Sequence, residues 1–234
     1  MAIQYARLRY ISRGKGMNAC SRAAYNGNLK VKDNRIGKLF NFSQKTTNVY
    51  HEILLPKSAD RKFQNIEFLM NEVEEKERRK DSQLLKEYVL ALPDEKEITL
   101  RHKIALTKLF IRRLRFIKEG LAVVIDIHKP AEDDINWYSK ILVTTRRFLY
   151  HGKSLGEKAR ELDTPVKGGR NNVYVPKNLS VNNGEIWKDV QNSFFEFLGL
   201  DLRVDAINEI PGAHIGTRKY GILAEEKRLL RRSN

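Results

Sequence analysis

Two apolar, β-rich runs, LAVVIDIH (121–128) and WYSKILVTT (137–145), are separated only by the short loop KPAEDDIN. Strands joined by so short a loop run antiparallel, because a parallel pair needs a crossover of roughly a dozen residues or more. A doubly wound parallel sheet is thereby excluded, and an α+β fold with a mixed or antiparallel sheet is predicted. Upstream, IQYARLRYI (3–11), VYHEILLP (49–56) and KEYVLALP (86–93) read as further strands, the last two stopped by prolines. Small residues at helical spacing predict a helix over ACSRAAYNG (19–27), after the turn SRGKGMN. Phe63, Ile66, Leu69 and Val73 mark one face of a long charged helix from Ala59 to about Gln83. EITLRHKIALTKLFIRRLRFIKEG (97–120) and GEIWKDVQNSFFEFLGL (184–200) complete the helices. Between them, 150–183 reads as an extended polar loop, and DLRVDAI as a short strand. A hairpin is expected around Gly37. The predicted order is β-α-β-α-β-α-β-β-α.

Charge narrows the partner. The 234 residues carry 44 Lys+Arg against 29 Asp+Glu, a net +15. Such an excess spread along the chain points to a polyanion, nucleic acid first and an anionic membrane surface second. Charge used only for solubility is the plain alternative. The single cysteine, Cys20, allows no intramolecular disulfide and no cysteine-based zinc site, which suits a reducing cytoplasm. No apolar run approaches the roughly 20 residues that span a bilayer. Charges within MAIQYARLRYISR argue against a signal peptide and against membrane insertion.

Tyr25 stands on the small-residue helix, with Arg13, Lys15 and Arg22 near it in sequence. A phenol becomes a nucleophile only beside positive charge or a base, and a core or surface tyrosine is the alternative. Asp126 and His128 share one strand face by period two, as Tyr138 and Lys140 do on the partner strand. An i, i+2 pair opposite a strand-end histidine is where three metal ligands converge. Here that pair is a phenol and an ammonium, and neither is a good ligand. His51 and His214 read as hydrogen-bonded core histidines. The end of ILVTTRR offers Arg146 and Arg147 for phosphate contacts.

In this order, AIQYARLRYISRGKGMNACSRAAYNG, DNRIGK, HEILLP, KEYVLALP, IDIH, NWYSKILVTTRR, GLDLRVDAI and IPGAHIG resemble the MobA/MobL relaxases, a family that also supplies the amino-terminal domain of TraA-type conjugative proteins. The resemblance implies an HUH-type fold, a central antiparallel sheet of about five strands flanked by helices. It implies a strand-specific nick at an origin of transfer, with Tyr25 at the nucleophile's position forming a 5′-phosphotyrosine. It also implies a divalent Mg²⁺ or Mn²⁺ at the phosphate, single-stranded or origin DNA as substrate, and relaxosome or coupling proteins as partners. Residues 1–218 correspond to the relaxase domain. Residues 219–234 form a basic tail that ends before any helicase region.

Two departures stand out against that resemblance. The family's ligands are a strand-end histidine and an H-x-H pair; His128 matches the first, while Tyr138 and Lys140 occupy the pair. Before A-L-P, Glu87 is kept and Val89 stands where a second acid is usual. These changes predict a weakened metal site, with oxygen ligands left to Asp126, Asp133 or Asp134, or with the Lys140 ammonium standing where the metal sat. Two function classes follow: an enzyme that nicks and rejoins DNA, or an inactive remnant that binds it. A basic RNA-binding protein, indifferent to DNA sequence, is a third reading.

Overall fold

The computed structural model describes residues 4–130, 136–162 and 183–205. Side chains that alternate across extended runs give each strand one apolar face or two, and these faces decide the layering. The elements are β1 (Ala6–Ser12), α1 (Ala19–Gly27), β2 (Lys30–Asp33), β3 (Lys38–Asn41), β4 (Asn48–Leu54), α2 (Ile66–Lys76) and β5 (Gln83–Leu92). They continue with α3 (Leu100–Arg113), β6 (Val123–His128), β7 (Trp137–Thr144), β8 (Arg146–Phe148), β9 (Leu155–Lys158) and α4 (Asn183–Phe197). Five strands form the central sheet in the order β1-β5-β7-β6-β4, every neighbouring pair antiparallel. The fold is α+β, and the β6–β7 pairing is the one its short loop required.

One face of the sheet presents Tyr88, Leu90, Ile125, Ile127, Ile141 and Val143 to Leu106 and Phe110 of α3 and to Trp187 and Phe195 of α4. Burying side chains of this size stabilises by about 1.5–3 kcal/mol each, so this layer holds the domain together. The other face is apolar over only half its width. Ile11, Leu85, Leu142, Val124 and Ile53 meet Ala19, Cys20, Ala23 and Ala24 of α1 and Leu69, Met70 and Val73 of α2. Toward the opposite strand ends the same face turns polar.

Several elements differ from the sequence expectation. The long charged helix is only α2, preceded by a 3-10 turn at Arg61–Gln64. Asn65 separates the two by capping α2, its side chain accepting from the Phe68 N–H. The helix expected over 97–120 is α3, which stops at Arg113, and a left-handed Arg115 (φ 61°) turns the chain toward Gly120. Part of the expected loop is the hairpin β8–β9. Residues 201–205 are not a strand; instead the Asn192 amide pairs with the Val204 backbone through both N–H and C=O. The hairpin at Gly37 forms as β2–β3, with Gly37 at φ +66°. His214, the tail and the loop acids Glu132, Asp133 and Asp134 lie outside the described residues. Among the described residues no helix is long and apolar enough to cross a membrane.

Candidate functional site

Helix α1 starts where Asn18 accepts a hydrogen bond from the Ser21 N–H at 2.8 Å and ends at Asn28, left-handed at φ 56°. Its alanines lie flat on the apolar half of the sheet, so Arg22, Tyr25 and Asn26 project over the polar half. Positions on β5, β6 and β7 make up that half. Across β6 and β7, Asp126 pairs with Lys140 and His128 with Tyr138. On the far side of β7, Lys140 faces Val89 of β5, and Glu87 lies one step along the same face. The convergence expected from period two is therefore present.

Glu87 is fully buried and organises one side of the site. It accepts from Arg22 Nε at 2.6 Å and Nη2 at 2.8 Å, from Asn26 Nδ2 at 2.8 Å, and from Arg9 Nε. Both carboxylate oxygens are satisfied by charge-assisted bonds, and both arginines are thereby engaged. Glu87→Ala leaves these donors without their acceptor. We expect a loss of about 2–3 kcal/mol in urea denaturation, below the range for a fully buried pair because Arg9 and Arg22 are partly in solvent.

Asp126 organises the other side. Its Oδ1 accepts from Asn48 Nδ2 at 2.8 Å and lies 2.7 Å from His51 Nδ1. His51 was expected in the core; it is an exposed residue of the edge strand β4, positioned by Asp126. His128 is buried, with Nδ1 3.2 Å from the Thr47 hydroxyl. Its pKa is pushed down from 6.5 to about 4, by burial first, then by the charges of Lys140 and Lys45, while the Asn26 backbone opposes the shift. The imidazole is neutral at pH 7. The Lys140 pKa is lowered by burial, with Lys45 and Arg9 adding to the effect and Glu87 and Asp126 opposing it.

Tyr25 is 36% exposed and stands edge-on to Phe42, ring centroids 5.4 Å apart. Three cations surround its ring: Lys45 Nζ at 3.9 Å from the centroid, Lys140 Nζ at 5.0 Å and the Arg22 guanidinium at 5.3 Å. A cleft of about 520 Å³ opens beside it, between α1 and the β2–β3 hairpin. Arg9, Arg22, Arg35, Lys38, Phe40 and Phe42 are among its lining, which includes no acidic residue among the described residues. Such a wall favours an anion, and its rings offer stacking surface for bases.

The structure brings together Tyr25, Arg22, Asp126, His128, Tyr138 and Lys140. Arg13 lines the cleft, but its guanidinium holds Glu74 Oε2 at 2.6 Å and the carbonyls of Glu74, Glu77 and Arg79 at the end of α2. Lys15 is exposed on the neighbouring 3-10 turn. Arg146 and Arg147 lie past the opposite end of β7, where Arg146 bonds Glu77 at 2.7 Å and Arg147 pairs with Glu161. They fasten β8 and its surroundings rather than join the site. Sequence reading missed Lys45, Phe42, Asn26 and Asn48. Only the interleaving of basic and aromatic residues in KLFNFSQK signalled the first two.

A divalent cation is tested by the donors present. His128 Nε2 and Asp126 Oδ2 are both buried and unpartnered among the described residues. Their cross-strand neighbours, however, are the ammonium of Lys140 and the phenol of Tyr138. Among the described residues no cluster of three or more His, Cys, Asp or Glu is arranged to hold a metal. This donor set does not fit a site of three imidazoles.

A model of the MobA/MobL family matches residues 18–224. The chain is 28% identical over 254 residues to mobilization protein MobL of Acidithiobacillus ferridurans, across 95% of this chain and 64% of that protein. It is 29% identical over 247 residues to conjugal transfer protein TraA of Agrobacterium fabrum, across 92% of this chain and 21% of that one. The chain thus spans 64% of the length of the first relative and 21% of the second. A solved structure from "Molecular Basis of Vancomycin Resistance Transfer in Staphylococcus aureus" superposes with a TM-score of 0.69 at 29% identity, covering 88% of this chain and 98% of the other.

Proposed function

Because the chain belongs to the MobA/MobL family, we propose that it binds single-stranded DNA at an origin of transfer and cuts one strand through Tyr25. The observation that carries this reading is the tyrosine itself: half-exposed, ringed by three cations and set at the mouth of a basic, aromatic cleft. A phosphodiester drawn to those charges lies beside the phenol, and proximity supplies much of what such a reaction needs. The Tyr25 oxygen bonds to phosphorus, the 3′-oxygen leaves and takes the proton, and the downstream strand stays attached through a 5′-phosphotyrosine. Since one phosphodiester replaces another, the step reverses and can rejoin the strand. The protein acts in the cytoplasm, with relaxosome or coupling proteins as partners in transfer.

A second reading, DNA binding without cleavage, is favoured by Tyr138 and Lys140 at the expected ligand positions. Mg²⁺ or Mn²⁺ belongs to the family's chemistry, but the described donors of this chain do not supply its seat. Both readings need phosphate contacts. For roughly three or four phosphates on a single strand, log affinity falls against log salt with a slope of about −2 to −3. Fluorescence anisotropy across a salt series checks this, and a salt-insensitive affinity contradicts both readings. A covalent protein–DNA adduct, resolved on a denaturing gel, separates the first reading from the second.

A further inference from the structure

Four cations point toward the Tyr25 end of the sheet, and they divide into two kinds. Arg9 and Arg22 are both held by the single carboxylate of Glu87. Lys45 and Lys140 form no hydrogen bond or ion pair through their ammonium groups with the described residues, and both approach the Tyr25 ring. They lie close to one another, their ammonium nitrogens 3.9 Å and 5.0 Å from the same ring centroid. Lys140 is half-buried, so its ammonium has given up water without gaining a fixed partner among the described residues. Such a group gains free energy when an anion arrives. Beside it, the buried Nε2 of His128 accepts or donates no hydrogen bond among the described residues.

We infer that Lys45 and Lys140 together form the seat for the phosphodiester at Tyr25 and take the place of a divalent cation there. The inference rests on Tyr25 being the attacking residue. Two ammonium groups bring the same formal charge as one dication, spread over two points. A metal would have to enter beside Lys140 and against its charge. The phosphates of the bound strand do not, so the site selects the anion and disfavours the cation. The chemistry stays balanced without the metal: the Tyr25 oxygen–phosphorus bond forms, the bond from phosphorus to the 3′-oxygen breaks, and the tyrosine proton ends on that oxygen. No co-reactant is consumed.

The full chain is assayed with single-stranded oligonucleotides tiling the DNA that flanks its coding sequence, in EDTA and in Mn²⁺. Lys45→Met, Lys140→Met, their combination and a remote control, Lys118→Met, are compared, with circular dichroism melts to confirm folding. Wild-type affinity and adduct yield are expected to be equal in EDTA and Mn²⁺. Each site lysine should account for about tenfold in affinity, the size of one charge-assisted hydrogen bond, and the control for little. If Mn²⁺ is required for binding or for adduct, the inference fails while the nicking reading stands. If no adduct forms under either condition, the nicking reading fails, and the lysine variants decide the phosphate seat: unchanged affinity in EDTA overturns it, and the expected loss supports it.

Discussion

Tyr25→Phe is expected to abolish the covalent adduct while changing single-stranded DNA affinity by less than about threefold. The substitution removes one oxygen and keeps the ring. The edge-on contact with Phe42 and the cation contacts from Lys45, Lys140 and Arg22 depend on the ring, so the cleft keeps its shape and charge. A parallel loss of binding would mean that the phenol oxygen is a structural ligand. Persistence of adduct in this variant would move the nucleophile elsewhere, with Tyr138 the next candidate.

A second large effect is expected from Tyr138→His combined with Lys140→His. The observed register puts residue 138 directly opposite His128 and residue 140 opposite Asp126, all on one face. Side chains paired across antiparallel strands have Cβ atoms about 4.5–5.5 Å apart, so three imidazoles reach a common point. His128 is already neutral at pH 7, the protonation state a ligand needs. The exchange also removes the ammonium that repels a dication. Mn²⁺ affinity by calorimetry should rise by more than about tenfold, and adduct formation should become dependent on Mn²⁺. Either single change should do much less. Tyr138→His keeps the repelling charge, and Lys140→His keeps a weak phenol as third ligand. Wild-type affinity for Mn²⁺ equal to that of the double variant would show that oxygen ligands already serve, and that the site is not impaired.

The sequence made the sheet legible because strand pairing follows from local pattern. The short loop after His128 required antiparallel β6 and β7, and period two then placed Asp126, His128, Tyr138 and Lys140 on one face, as observed. Helix α1 was equally readable, since small residues bounded by Asn18 and Asn28 leave little choice of limits. The hairpin β8–β9 was not readable: its strands are short, with Phe148 and Leu155 the buried apolar pair between them. The ion-pair partners of the basic candidates were not legible, because they are distant in sequence. Nothing near Arg13 or Arg146 in sequence reveals Glu74 or Glu77, which fold back from α2 to hold them. Lys45 was only faintly signalled, by the basic and aromatic interleaving of KLFNFSQK. Its loop between β3 and β4 has no periodic pattern, and only tertiary packing lays its ammonium over Tyr25. His51 was misplaced because an apolar neighbourhood in sequence does not distinguish an edge strand from a central one.

What ties these observations together is the placement of the reacting phosphate at Tyr25, over the polar half of the sheet. Mass mapping of a trypsin digest after reaction with origin-flanking single-stranded DNA tests that placement most directly. The nucleotide mass is predicted on the peptide AAYNGNLK, residues 23–30, whose tyrosine is Tyr25. A nucleotide mass found instead on the peptide carrying Tyr138, or on any peptide remote from α1, would contradict it.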